Sequence, residues 1–214
     1  MSYGSIEPRH AALLFFDTLN YGYANPPDDG RDAVATAKAN WVRLAAAARA
    51  LGVPILYAMA DHRPDGADIG EGYSDANHEM QPWPDPEVRR RPHAANLSGS
   101  WGAQVIDELA PQLEDYRIPK HRWSAFFQTH LELSLRARGA NVLILCGGAT
   151  EIGIASTAYA ARDLDFDLVV VRDGTHSRRP MVQGLFIDHV FPRFARVRTT
   201  DEVIEMLSAG AAAG

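Results

Sequence analysis

The sequence predicts an α/β fold in which a parallel sheet is covered on both faces by helices. Three observations carry that prediction. The stretch 141–162, NVLILCGGATEIGIASTAYAAR, reads as a buried strand, a tight glycine turn and a helix. Val142, Leu143, Ile144 and Leu145 form the unbroken apolar run of a strand hidden on both faces. Gly147 and Gly148 allow a sharp turn, Thr150 stands at the N-cap, and Ile154, Thr157, Ala158 and Ala161 share one helix face. Secondly, strands alternate with helices along the chain, the order of a sheet built by crossovers. Thirdly, 214 residues with no internal repeat and no linker-like stretch fit one domain, 1–214, with one sizeable core.

In chain order, 11–16 is an apolar strand ending at Asp17. Residues 32–51 repeat apolar side chains at helical spacing (Val34, Trp41, Leu44, Ala45, Ala48), and Gly52 stops that helix. A second strand covers 53–59. From 60 to 96 no period is visible and Pro, Gly and Asp recur, so this long segment is read as a lid or an assembly surface. A short helix is expected over 101–109 and a third strand over 116–119, ending at Lys120. A helix over 124–138 carries Phe127, Leu131 and Leu135 on one stripe and is closed by Gly139. After the central strand and helix come a fifth strand (168–171), a helix over 180–190 with Pro180 at its first position, and a sixth strand (195–198). Thr199 and Glu202 give a capping box for a last helix over 203–207, and the tail 209–214 is expected to fray.

Composition excludes several classes of function. A net charge of −6 is wrong for a nucleic-acid partner, which needs a basic face. No apolar run approaches the ~18 residues of a membrane span, and residues 1–8 have no signal-peptide core. One cysteine, Cys146, permits no internal disulfide and suits a reducing cytoplasm.

Ligands of open α/β sheets bind beyond the carboxyl ends of strands. Asp17, Lys120 and the 147–153 turn all fall at such ends, so three distant polar elements converge on one edge. The turn and first helical residues also aim N–H groups at one spot, which suits a developing oxyanion. Cys146 closes a buried strand and reads as a small hydrophobe. Ser124 reads as a helix N-cap, Arg178 and Arg179 as surface charges. His93, Asn96, Trp101 and His176 are candidates to line the pocket.

GGATEIG resembles the signature of the isochorismatase-like cysteine hydrolase superfamily, in which Gly-x-x-Thr-x-x-Cys opens the helix with the nucleophile. Gly147 and Thr150 match, and Gly153 stands where that superfamily has its cysteine. Isochorismatases within it can carry glycine there and work without a thiol. LLFFDTLN and IPKHRWSAFFQT match the segments of its Asp/Lys acid–base pair. The resemblance implies a Rossmann-type three-layer αβα sandwich around a six-stranded parallel sheet, matching the six strands counted above. It implies catalytic roles for Asp17 and Lys120, with the Gly153 backbone in the nucleophile's place. Gly148, Ala149 and Thr150 would bind substrate, with a cis peptide expected at Ala149–Thr150. Arg122, in KHRWSAF, is either a fork for a substrate carboxylate or a structural ion-pair partner. Asp61, His62 and His78 resemble the nicotinamidase branch's Asp/His/His metal site. That branch has Asp-x-His spacing, whereas Asp61 and His62 are adjacent, so no metal and no other cofactor is expected. A homodimer or homotetramer is implied by the same kinship.

Two functions follow as expectations. The first is a thiol-free hydrolase of a small molecule, cleaving an enol ether or a C–N bond through Asp17, Lys120 and activated water. The second is a catalytically dead relative kept as a binding or assembly module. Retention of both Asp17 and Lys120 speaks for the first.

Overall fold

The computed structural model describes residues 3–26, 31–68 and 97–213. Six strands, β1 (Ala11–Phe16), β2 (Ile55–Ala60), β3 (Tyr116–Lys120), β4 (Val142–Gly148), β5 (Asp167–His176) and β6 (Arg196–Arg198), form one sheet. Its order is β3-β2-β1-β4-β5-β6 and every pairing is parallel. β1 and β4 lie at the centre and are buried throughout, which their unbroken apolar runs require. β3 is an edge strand, so Pro119 costs the ladder little there.

Alternate residues of each strand feed two cores. Leu13, Phe15, Ile144 and Val169 pack against Trp41 and Leu44 of the Arg31–Ala50 helix and Val203 and Leu207 of the Thr200–Ala213 helix. Leu14, Phe16, Leu143, Leu145 and Val170 face Leu131 and Leu135 of the Leu131–Ala137 helix, Ala158 of the Ala155–Asp163 helix, and Phe191. The result is the three-layer αβα sandwich that the sequence predicts.

β5 runs past its expected end. Leu145 pairs with Val170 but Gly147 pairs with Thr175, so residues 171–174 bulge out of register. Trp41 Nε1 donates to the Gly174 carbonyl at 2.7 Å, and Asn40 Nδ2 to that of Asp173 at 2.9 Å. Asp173 Oδ1 in turn accepts the Thr200 N–H at 2.8 Å. The clasped bulge carries the strand on to His176, opposite Gly148.

Several local expectations are corrected. Residues 121–130 are turns, and the helix expected over 124–138 is confined to Leu131–Ala137. Side chains there compete for the backbone: Ser124 Oγ accepts the Phe126 N–H at 3.2 Å, Thr129 Oγ1 accepts that of Leu131 at 3.2 Å, and the Ala125 N–H goes to Thr157 Oγ1 at 3.0 Å. Gln128, at φ +54°, then leaves the helical region altogether. Ser124 is therefore a turn residue, not a helix cap. Residues 101–109 form two separate 3-10 turns, Trp101–Ala103 and Asp107–Leu109. The 180–190 helix begins at Pro180 but divides into an α turn, Pro180–Gly184, and a π segment, Leu185–Val190. The last helix extends to Ala213, because Gly210 lets its backbone pack on Ile6 and residues 209–213 are held as helix. Thr150 opens a π turn, Thr150–Ile154, with Ala149 at the cap position; its hydroxyl donates to Gln183 Oε1 at 2.6 Å instead of capping. The cis peptide is Gly148–Ala149, one bond before the expected one. Residues 69–96, most of the segment read as a lid or an assembly surface and including His78, His93 and Asn96, lie outside the described residues.

Candidate active site

Strand order reverses between β1 and β4: the chain first builds outward to β3, then returns to build β4 to β6 on the other side. The crevice beyond the carboxyl ends of two such strands is where open α/β sheets take ligands. Asp17 follows β1, and Gly148 ends β4.

Three strand ends are tied together there. Asp17 turns away from β1 at φ +48° while its N–H still donates to the Ala58 carbonyl at 2.8 Å. Its Oδ1 accepts the Ala60 N–H of β2 at 2.9 Å, and its Oδ2 accepts the Lys120 ammonium of β3 at 2.8 Å. Ala60 and Lys120 are direct partners in the β2–β3 register. Lys120 is 5% exposed and its Nζ sits 4.3 Å from the centre of the Phe16 ring, a cation–π contact that replaces part of its lost hydration. The structure thus brings Asp17 and Lys120 into direct contact.

The β4 turn is shaped by what its glycines cannot carry. Gly147 has φ +117°, and a Cβ there would lie 2.1 Å from the Phe16 carbonyl oxygen. At Gly153 a Cβ would lie 2.0 Å from Cε1 and 2.4 Å from Cζ of the Phe16 ring. The ring therefore occupies the volume of any side chain at position 153, so only the backbone of this residue is available to the site. Phe16 is itself almost fully buried.

Gly148, Ala149 and Thr150 lie at the same end of β4, with Thr150 fully buried. Two aromatic groups border them. Tyr23, from the single turn Asn20–Tyr23, places its hydroxyl 2.2 Å from where a Gly148 Cβ would stand. Burial first, and the Asp17 charge second, push its phenol up. His176 packs edge-on to Tyr23, with ring centres 6.2 Å apart, and burial followed by the Arg178 charge pushes its imidazole down. Tyr23 escaped the sequence reading because its only signal, NYGY after β1, has no chemical motif. Glu151 adds a buried Oε2 with no hydrogen-bond partner among the described residues.

Arg122, two residues after Lys120, is exposed, and its Nη1 donates to the carbonyls of Asp68 at 2.8 Å and His121 at 2.6 Å. Cys146 is fully buried in the core, its thiol directed to the Leu14 carbonyl at 3.7 Å and pushed well up by burial. Among the described residues, no helix is long and apolar enough to cross a membrane.

Residues 11–202 match the family described as Isochorismatase domain. The chain belongs to the isochorismatase family. It is similar to the uncharacterised isochorismatase family protein YecD of Escherichia coli O157:H7, 42% identical over 93 residues, which span 44% of this chain and 50% of that one. Ureidoacrylate amidohydrolase RutB of Agrobacterium fabrum is 28% identical over 216 residues, covering 97% of this chain and 94% of RutB. Among solved structures, an isochorismatase family protein from Burkholderia thailandensis superposes with a TM-score of 0.79 at 27% identity, covering 97% of this chain and all of that one. The fold is thereby that of the isochorismatase family.

Proposed function

We propose that this isochorismatase family member hydrolyses a C–N bond of a small amide or ureido compound by activated water, without a thiol. The observation that carries the reading is the pairing of an intact Asp17–Lys120 contact with a Phe16 ring in the space of a side chain at 153. Each Asp17 oxygen accepts one N–H, which holds the carboxylate in place, and keeps a second lone pair with which to accept a proton from water. Asp17 would take a proton from water while the oxygen adds to the carbonyl carbon. Lys120 holds Asp17 in place, and N–H groups at the start of the Thr150–Ile154 turn, with the Gly153 backbone, would stabilise the oxyanion. The proton then passes to the leaving nitrogen as the C–N bond breaks. Gly148, Ala149 and Thr150 would border the substrate, and Arg122 would meet a carboxylate at the rim.

Similarity to RutB along nearly the whole chain supports a C–N substrate. Enol-ether cleavage is the second reading, supported by Gly153 itself, since protonation of an enol ether creates an electrophile without any nucleophilic side chain. A panel of small ureido acids, amides and enol ethers separates the two. With the substrate found, Asp17→Asn should lose roughly 10²-fold or more in kcat, and Cys146→Ala should keep most activity. Loss of turnover in a folded Cys146→Ala protein would overturn the thiol-free reading. We further propose a cytoplasmic homodimer or homotetramer, in keeping with exposed Trp123 and Phe127; a monomer in sedimentation at micromolar concentration would contradict the assembly.

A further inference from the structure

We propose that His62, Asp68 and His121 bind one divalent transition-metal ion of the zinc, nickel or cobalt class, next to the strand ends that hold Asp17 and Lys120. β2 and β3 are parallel neighbours, with Ala60 opposite Lys120, so His62 and His121 emerge from the sheet at the same edge. Asp61 continues the ladder, its N–H donating to the Lys120 carbonyl at 3.1 Å, and is not one of the three residues whose ligand atoms converge. The chain instead turns through residues 63–68 and returns Asp68 to the two rings. That return is fixed at both ends of the residue: the Arg63 N–H donates to the Asp68 carboxylate at 3.2 and 3.3 Å, and Arg122 Nη1 to its carbonyl at 2.8 Å.

The spacing is that of a coordination sphere. Asp68 Oδ1 lies 3.5 Å from His62 Nδ1, and Asp68 Oδ2 lies 3.2 Å from His121 Nδ1. One ligand atom from each residue falls within 4.8 Å of the others. Bonds of about 2.0–2.2 Å in a tetrahedral site set neighbouring ligand atoms about 3.4 Å apart. A second observation points the same way: His62 Nδ1 is buried and has no hydrogen-bond partner among the described residues. A buried nitrogen without a hydrogen bond is costly, and a cation between it and the Asp68 carboxylate would satisfy both. The nearby guanidinium groups do not fill the role, since Arg63 forks onto Asp65 and Arg122 onto backbone carbonyls.

Two imidazoles and one carboxylate favour borderline metals over magnesium or calcium, which require oxygen donors. Three protein ligands leave a fourth position, and the half-exposed His121 opens that side to solvent. The donor set differs from Asp61, His62 and His78, whose broken spacing predicts no metal.

The test uses the tag-free full chain, stripped with a chelator and titrated calorimetrically with Zn²⁺, then with Co²⁺ followed by visible absorption. One equivalent should bind. His62→Ala, Asp68→Asn and His121→Ala should each weaken binding at least tenfold, whereas His130→Ala should not. Because His121 is half-exposed, His121→Gln keeps the test decisive if Asp68→Asn fails to fold. Absence of saturable binding up to about 1 mM Zn²⁺, or unchanged binding in a folded His121 variant, would overturn the site.

Discussion

At position 153 the backbone has no room for even one carbon, because the Phe16 ring stands 2.0 Å from where it would go. Gly153→Ala should therefore destabilise the fold by about 1–3 kcal/mol, the usual scale for overpacking a tight core. Phe16→Leu should recover part of that loss, although alone it removes packing and the contact to Lys120. Denaturant unfolding of the two single variants and the pair measures the coupling, and independent effects would show that the ring is not the obstacle. Position 176 carries a different residue-scale consequence. His176 is held below the ordinary 6.5 by burial, then by Arg178, so the unfolded chain takes up its proton first. The stability it contributes is complete above about pH 6.5 and is lost as pH falls from there towards the lower folded value. His176→Gln should flatten that part of the stability–pH curve, and NMR of the imidazole should show a titration below pH 6.5. Asp17 and Lys120 were legible as residues because each stands at the end of an expected strand, in LLFFDTLN and IPKHRWSAFFQT, whereas the Phe16–Gly153 contact was not, since nothing in the sequence says which ring crosses to which strand.

Elements were legible where local chemistry decides them. The Thr199–Glu202 capping box is formed as the spacing predicts: Glu202 Oε2 accepts the Thr199 N–H at 2.7 Å, and Thr199 Oγ1 accepts the Glu202 N–H at 3.2 Å. Thr199→Ala should cost about 1 kcal/mol, read as a lower Tm with unchanged helix content at room temperature. Residues 124–130 failed for the opposite reason. Phe127, Leu131 and Leu135 have helical spacing, but Phe127 is exposed and only the other two are buried. Ser124 and Thr129 offered the backbone local partners that a period count does not weigh. The bulge at 171–174 was equally hidden, because Trp41 and Asn40, which hold it, come from more than a hundred residues away.

Across the whole molecule, six strands and their order place Asp17, Lys120 and the β4 turn at one reversal of the sheet. The Asp17–Lys120 contact is also the point where β1, β2 and β3 are tied, so its removal should be felt unequally from the two sides. Asp17→Ala leaves the Lys120 ammonium, 5% exposed, without its carboxylate and with only the Phe16 ring beside it. Breaking one side of such a buried pair costs about 3–5 kcal/mol. Lys120→Met leaves Asp17 partly open to water, with 27% of its side chain exposed and its bond to the Ala60 N–H intact. That variant should lose less. The double variant, Asp17→Ala with Lys120→Met, should be more stable than Asp17→Ala alone, because the unpaired buried charge is gone. Urea unfolding of the three proteins tests this directly. Equal losses in the two single variants, or a double variant at the sum of both, would mean that water already reaches the Lys120 ammonium and that the contact does not tie the strand ends.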